Sequence, residues 1–195
     1  GDDAVDCQLA DAQVPSTALA VQRDGLLAWR EGNTRSIGRL IATKKVAAYA
    51  NIQRATALNR IKIDEIFALD SVLAILAALE RDGSAWALET AATLRKRSPL
   101  MLHVVLEHIR RARSMTLDDD LRMERDMVRH CFHTHHLART GAASETVEGI
   151  RALAVDKDHA PKWSPARMED VTPEMVQPFF HSPWPAHMHP LRSLI

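Results

Sequence analysis

Five neighbouring residues carry side chains able to ligate a metal: His130, Cys131, His133, His135 and His136. On a helix, Cys131 and His135 stand four residues apart and His133 and His136 three apart, so each pair shares a face. A zinc site of this type needs a second cluster at fixed spacing, and the sequence supplies none. The cluster falls where a helix is expected to end, a place that favours histidine on electrostatic grounds. It is read as a solvated helix end, and no residue is assigned as a metal ligand. Asp118, Asp119 and Asp120 crowd a first helical turn, where the macrodipole stabilises negative charge; a cation site there is the lesser reading. Ser144 and Ser164 have no His/Asp order around them and read as cap and turn residues. The basic runs Arg95-Lys96-Arg97 and Arg110, Arg111, Arg113 close helices. Solvation is their default role, with RNA or an acidic protein face as the alternative. No catalytic residue is assigned.

The 195 residues are enough for one domain with a proper core or two small ones. A hydrophobic share of 46% and a charged share of 26% are ordinary for a soluble globular chain. Lys+Arg and Asp+Glu balance at 25 each, so no net positive field draws phosphate backbones. That weighs against nucleic-acid binding as the main function, while a peripheral member of a nucleoprotein particle can be neutral. No apolar run reaches the roughly 18 residues of a membrane span. Cys7 and Cys131, far apart, suit a reducing compartment. From Gly1 onward there is neither an initiator Met nor a targeting presequence, so location is not readable from the terminus.

The elements that must position these residues are helical. Glycine is scarce, at 7, and no convincing strand alternation occurs. A short helix is expected from Asp2 to Cys7, an extended piece over Ala12–Val14, and a helix capped by Ser16 carrying Leu19, Leu26, Leu27 and Trp29. The stretch 31–62 is less regular, with an Ala-rich helix over Lys44–Leu58. Asp70 or Ser71 caps a helix that ends at Asp82-Gly83. Ser84 starts another, with Trp86, Leu88 and Leu94 inward. Ser98-Pro99 opens a third with Leu102, Val105, Leu106 and Ile109. Thr116 with Asp119 starts a long helix to about His136, its apolar face Leu121, Met123, Met127, Val128 and Phe132. A loop covers Arg139–Ser144, and Glu145–Val155 is helical again. Prolines recur from Pro161, which predicts a short helix and then an extended Pro/His tail over 181–195. The expected fold is mostly α-helical.

One stretch is far more specific. Glu148-Gly149-Ile150-Arg151-Ala152, Val155-Asp156-Lys157-Asp158 and Pro161-Lys162-Trp163 resemble the C-terminal signature of 3-hydroxyisobutyryl-CoA hydrolases in the crotonase (enoyl-CoA hydratase) superfamily. Other parts resemble it in matching order: Leu9-Ala10 with Val14-Pro15-Ser16, Ile63-Asp64-Glu65-Ile66-Phe67, Leu79 to Ala87, Ser98-Pro99-Leu100, and Leu121-Arg122-Met123-Glu124. The likeness runs to about Phe180. Gln8 stands in place of the family's Gly, and the link from Ala138 to Val147 before Glu148 is longer than the family's, with Thr146-Val147 in place of its Phe.

The resemblance implies the C-terminal helical portion of a crotonase fold over residues 1–180, without the N-terminal ββα spiral core. It implies acyl-CoA thioester hydrolysis in valine catabolism, in mitochondria. The family's Gly-Gly oxyanion loop and acidic residues lie in the other half, so none is carried over; such hydrolysis needs both oxyanion donors and a base. Coenzyme A thioester enters as a ligand only with a catalytic half present, near Lys157, Lys162 and Trp163, where a cation meets a phosphate. The favoured reading of the segment is structural: Glu148 and Arg151 pin it by hydrogen bonds while Trp163 packs at a junction. The expected partners are a polypeptide bearing the N-terminal crotonase half, or a large complex such as the small subunit of the mitochondrial ribosome, where hydrolase-like proteins occur as non-catalytic constituents. Peripheral RNA contact fits that setting, and a membrane does not. Alone, the chain is expected to expose apolar faces of the Ser71 and Ser98 helices and to aggregate.

Overall fold

The structure, a computed structural model, describes Ala4, Leu9, residues 16–27 and residues 56–194. It divides into two units, Gly1–Glu65 and Ile66–Ile195. In the first, a 3-10 turn over Ser16–Ala18 leads into α1, Leu19–Leu27. Helix α2, Thr56–Phe67, begins in this unit and carries an exposed Arg60–Asp64 pair at i,i+4. The helix expected over Asp2–Cys7, the Ala12–Val14 segment, Trp29 and most of 31–62 lie outside the described residues.

The second unit is a run of helices, most of them started by a side chain that accepts an otherwise orphaned backbone N–H. In α3, Val72–Asp82, Ser71 caps the Ala74 amide at 3.1 Å, and Gly83 closes the helix at φ +66°, a left-handed position that suits glycine. In α4, Ala85–Arg95, Ser84 caps Ala87. In α5, Pro99–Ala112, Ser98 caps Met101 and Pro99 supplies a residue with no N–H to orphan. In α6, Leu117–Phe132, the Asp119 amide donates to Thr116 Oγ1, and that hydroxyl donates to the Asp119 carboxylate at 2.9 Å. Each such cap is worth about 1 kcal/mol. No strand occurs among the described residues.

Two hydrophobic cores form. Ile66, Val72, Ile75, Leu76 and Leu79 meet Ala87, Ala91 and Met168 in the first. Ala87 and Ala91, one turn apart, bring α4 close to α3. Leu100, Val104, Met123 and Met127 meet Val176 and Phe179 in the second. Helix α5 serves both, because Leu102 and Leu106 pack against the first core while Leu100 and Val104 sit wholly inside the second.

This corrects the inward faces read from the sequence. Leu88, Val128 and Phe132 are exposed, and Ala87 and Ala91 of α4 take buried positions instead. The Ser71 and Ser98 helices do keep apolar groups in solvent: Leu73 on α3, Val105 and Ile109 on α5.

Helix α6 also ends earlier than expected, at Phe132 rather than near His136. Buried Thr134 donates its hydroxyl toward the Arg139 and Thr140 carbonyls, which turns the chain back. A 3-10 turn over His135–Leu137 and left-handed Ala138 follow. The return brings Gly141 against the end of α6: a Cβ there would lie 2.4 Å from the Phe132 carbonyl oxygen. Backbone cannot yield as a flexible side chain would, so Gly141→Ala should lower stability by about 1–3 kcal/mol in urea unfolding. An unchanged midpoint would refute this close approach.

Beyond a 3-10 turn at Gly141–Ala143, α7 (Glu145–Ile150) runs into a π-turn, Arg151–Val155. Helix α8, Pro173–Val176, and a 3-10 turn over Gln177–Phe180 seat Phe179 in the second core. Residues 182–194 are not extended. They carry a 3-10 turn at Ala186–Met188 and dock on α6, where Arg122 Nε donates to the Leu191 carbonyl at 3.2 Å. Asp126, buried, accepts from Ser182 Oγ at 3.0 Å and lies 3.2 Å from His189 Nε2, while Arg125 covers Trp184 at 4.9 Å.

Candidate functional site

The segment from Glu145 to Trp163 is organised by its own charges. Ser144 is buried and caps α7 through the Val147 amide at 3.2 Å, the role expected of it. Glu145, the next residue, is buried too. Its carboxylate accepts from the Ser98 hydroxyl, from the Ser164 amide at 3.0 Å and from Arg139 Nη1 at 3.4 Å.

One turn on, Glu148 and Arg151 form a two-pronged pair, Oε1 to Nη2 at 2.8 Å and Oε2 to Nε at 2.9 Å. Arg151 Nη1 also reaches Asp156 at 2.6 Å and Asp158 at 2.7 Å, and its Nη2 donates to the Ala160 carbonyl at 3.2 Å. The Lys162 amide completes the ring by donating to Glu148 Oε1 at 2.6 Å. Trp163 donates its indole N–H to the Lys96 carbonyl at 3.1 Å and lies against Gly149, where a Cβ would touch its ring at 3.4 Å. A single guanidinium thus folds back the stretch in which Lys157 and His159 take positive φ, 57° and 53°.

The electrostatics follow from these partners. Arg151 and the Lys162 amide hold the Glu148 carboxyl down at about 2, from an ordinary 4.5. Asp158 is lowered by the Ala160 amide and then by Arg151, and Arg151 itself is held more firmly protonated, first by Glu148. Carboxylates so strongly held in the charged form are poor general bases near neutral pH. Lys157 and Lys162 are exposed, with the Lys162 amide bonded to Glu148, and Trp163 is half-buried.

The histidine cluster splits. His133 and His135 are exposed, as a solvated helix end requires, but His130 and His136 turn inward. Their rings meet edge-on at 5.3 Å, and His136 meets Phe179 in the same way at 4.8 Å. Both His136 nitrogens are buried without a partner. Burial, then the charges of His130 and Arg139, pull its pKa to about 4. Burial pushes the Cys131 thiol up, against a hydrogen bond from Thr146, which makes it a weak nucleophile.

His136 and Glu148 both have folded pKa values below their unfolded ones, so the unfolded chain takes up the proton first as pH falls. Stability should therefore decline from about pH 6.5 to 4 through His136, and from about 4.5 to 2 through Glu148. His136→Leu should flatten the upper limb and Glu148→Gln the lower one, read as unfolding free energy against pH. A wild-type profile flat from pH 6.5 to 4 would contradict the buried neutral imidazole.

The basic runs are partly engaged. Arg95 pairs with Glu80, and Arg110 donates to the Leu69 carbonyl at 2.7 Å and the Asp70 carbonyl at 3.0 Å. Arg111 holds Glu107 at 2.7 Å and lies over Phe180 at 4.2 Å. Lys96, Arg97 and Arg113 are exposed. The sequence reading missed Glu145, Arg139 and His108. Glu145 meets Ser98, 47 residues away, and His108 meets Asp120, 12 residues away, separations at which local pattern gives no sign of a partner. Of the acidic run, Asp119 is held at the start of α6 by the Thr116 cap, while Asp120 sits beside His108 rather than with its neighbours.

Comparison with known proteins agrees with this architecture. Residues 1–180 match the family model described as Enoyl-CoA hydratase/isomerase. Human mitochondrial 3-hydroxyisobutyryl-CoA hydrolase is 29% identical over 184 residues, 93% of this chain and 45% of that protein. The Arabidopsis thaliana "Probable 3-hydroxyisobutyryl-CoA hydrolase 2" is 34% identical over 179 residues, 89% of this chain and 45% of its own length. The Arabidopsis "Small ribosomal subunit protein mS47" is 36% identical over 135 residues, 65% of this chain and 31% of that protein. Among solved structures, a carnitinyl-CoA dehydratase from Mycobacterium thermoresistibile superposes with a TM-score of 0.70 at 30% identity, covering 95% of this chain and 48% of that one. The chain spans a little under half the length of the hydrolases it matches. Its helices are the helical portion of a crotonase fold, and the chain belongs to the enoyl-CoA hydratase/isomerase family.

Proposed function

We propose that this chain is a scaffold: a 3-hydroxyisobutyryl-CoA hydrolase-like structural subunit of a large mitochondrial assembly, most specifically the small subunit of the mitochondrial ribosome. One observation carries the reading. The ionisable groups of the signature segment satisfy one another, with Glu148, Asp156 and Asp158 gathered on Arg151 and Glu145 held by Ser98, Arg139 and Ser164. They fix backbone geometry and leave no carboxylate poised to activate water. The likeness to the Arabidopsis small ribosomal subunit protein supports the setting. Exposed Lys96, Arg97 and Arg113 would serve peripheral RNA contact, and protein partners would cover Leu73, Val105 and Ile109.

A second reading is favoured by the hydrolase names among the relatives, which match more of the chain. In it these helices are the C-terminal half of an active 3-hydroxyisobutyryl-CoA hydrolase, whose catalytic half lies on another polypeptide. Lys157, Lys162 and Trp163 would then lie near bound coenzyme A. The test is direct. The purified chain, alone and with any co-purifying polypeptide, is assayed for thiol release from 3-hydroxyisobutyryl-CoA, and mitochondrial lysate is fractionated by sedimentation. Co-sedimentation with small ribosomal subunits and no thiol release is the expected result. Thiol release that depends on a co-purifying partner would overturn it in favour of the hydrolase.

A further inference from the structure

Across the α5–α6 pair, far along the chain from the signature, three side chains converge. His108 comes from α5, and Asp120 and Glu124 come from one face of α6 at i,i+4 spacing. His108 Nε2 is 3.1 Å from Asp120 Oδ1 and 3.7 Å from Glu124 Oε1, and all three ligand atoms lie within 4.8 Å of one another. Ligand atoms held tetrahedrally around zinc at about 2.0–2.2 Å stand roughly 3.4 Å apart. The two His108 spacings bracket that value, and the two carboxylate oxygens lie within 4.8 Å of each other.

A histidine–carboxylate ion pair explains part of this arrangement, since one carboxylate suffices for one imidazole. It accounts less well for the second, since Glu124 stands 3.7 Å from the same nitrogen, beyond hydrogen-bond range. Among the described residues, neither Asp120 nor Glu124 is paired with an Arg or Lys; Arg122 turns to Asp119, and Arg111 to Glu107. Two carboxylates on adjacent turns repel unless a cation lies between them. The framework is also prepared in advance, because Leu100, Val104, Met123 and Met127 lock the two helices together beside the site. His108 and Asp120 are 19% and 24% exposed and Glu124 is 48% exposed, which leaves one side open to water.

We propose that His108, Asp120 and Glu124 bind a divalent first-row transition metal of the zinc type, clamping α5 to α6. An imidazole nitrogen with two carboxylate oxygens suits such an ion better than Mg2+ or Ca2+, which take oxygen ligands. Three protein ligands leave a fourth position for water. The cluster His130 to His136 is not the site: its inward histidines face Phe179, and no group of three ligand atoms gathers there among the described residues.

The test uses the full 195-residue chain, stripped by chelation. Co2+ is titrated while its visible absorption is followed, and Zn2+ is titrated by calorimetry, with Mg2+ as a competitor. One ion per chain should bind, unaffected by millimolar Mg2+. Asp120→Asn and Glu124→Gln should each weaken binding at least about 10-fold, since even outer-shell partners of metal sites are worth 10–100-fold. Zn2+ should raise the melting temperature of the wild type and not of Glu124→Gln, a half-exposed position where the change spares folding. The double variant His133→Ala/His135→Ala should bind as the wild type does, which separates this site from adventitious surface histidines. Equal affinity in wild type and Glu124→Gln would overturn the proposal, as would binding lost with His133 and His135 or displaced by Mg2+.

Discussion

Phe179→Ala should lower the unfolding free energy by about 3–5 kcal/mol, as full truncation of a buried aromatic does. Phe179 is 1% exposed among Leu100, Val104, Met123, Met127 and Val176, so its loss leaves a cavity lined by three separate helices. The same ring covers His136, whose centroid lies 4.8 Å away. Truncation should therefore also let water reach that imidazole and move its titration from about 4 back toward 6.5. Urea unfolding gives the first effect, and proton NMR of the His136 ring against pH gives the second. A loss of under 1 kcal/mol, or an unmoved His136 titration, would contradict the packing described.

The second large effect is expected at Glu145. Its carboxylate is the only described partner shared by Ser98, Arg139 and the Ser164 amide, and it is buried. Removing one member of a buried, hydrogen-bonded charge pair costs about 3–5 kcal/mol, because the other charge stays behind unpaired. Glu145→Ala should fall in that range. Glu145→Gln, which keeps an acceptor oxygen, should cost less. In the double variant Glu145→Ala/Arg139→Ala the losses should be less than additive, since the second change removes the orphaned charge. Strict additivity would mean the two side chains do not act as a pair.

Much of this architecture was legible because it is local. Ser71, Ser84, Ser98-Pro99 and Thr116 with Asp119 begin helices through contacts within three residues, and Gly83 ends one by its own backbone freedom. The inward faces were less legible. Leu88, Val128 and Phe132 are as apolar as the residues that are buried, and only the neighbouring helix decides which face turns in. Ala87 and Ala91 win on α4 because small side chains allow close approach to α3, a reason visible only once both helices are present. The end of α6 was set by Gly141 nine residues further on. Of the signature, sequence gave the residues but not their wiring: the Glu148–Arg151 pair follows from i,i+3 spacing, whereas the Lys162 amide and Asp158 reach it only after the chain doubles back.

Because α5 lines both cores, the two cannot melt independently. Leu100 and Val104 are fixed by one set of partners and Leu102 and Leu106 by another, so any opening that frees one face strips the other of its wall. Proteins usually open by pieces, each with its own free energy. Here the piece boundary that the paired cores suggest is bridged by a single helix. The backbone amides of α5 should then exchange with solvent only when the whole second unit unfolds, while the Ser182–Leu194 strap frays ahead of it. Cooperativity in this unit is thus a property of one helix with two apolar faces.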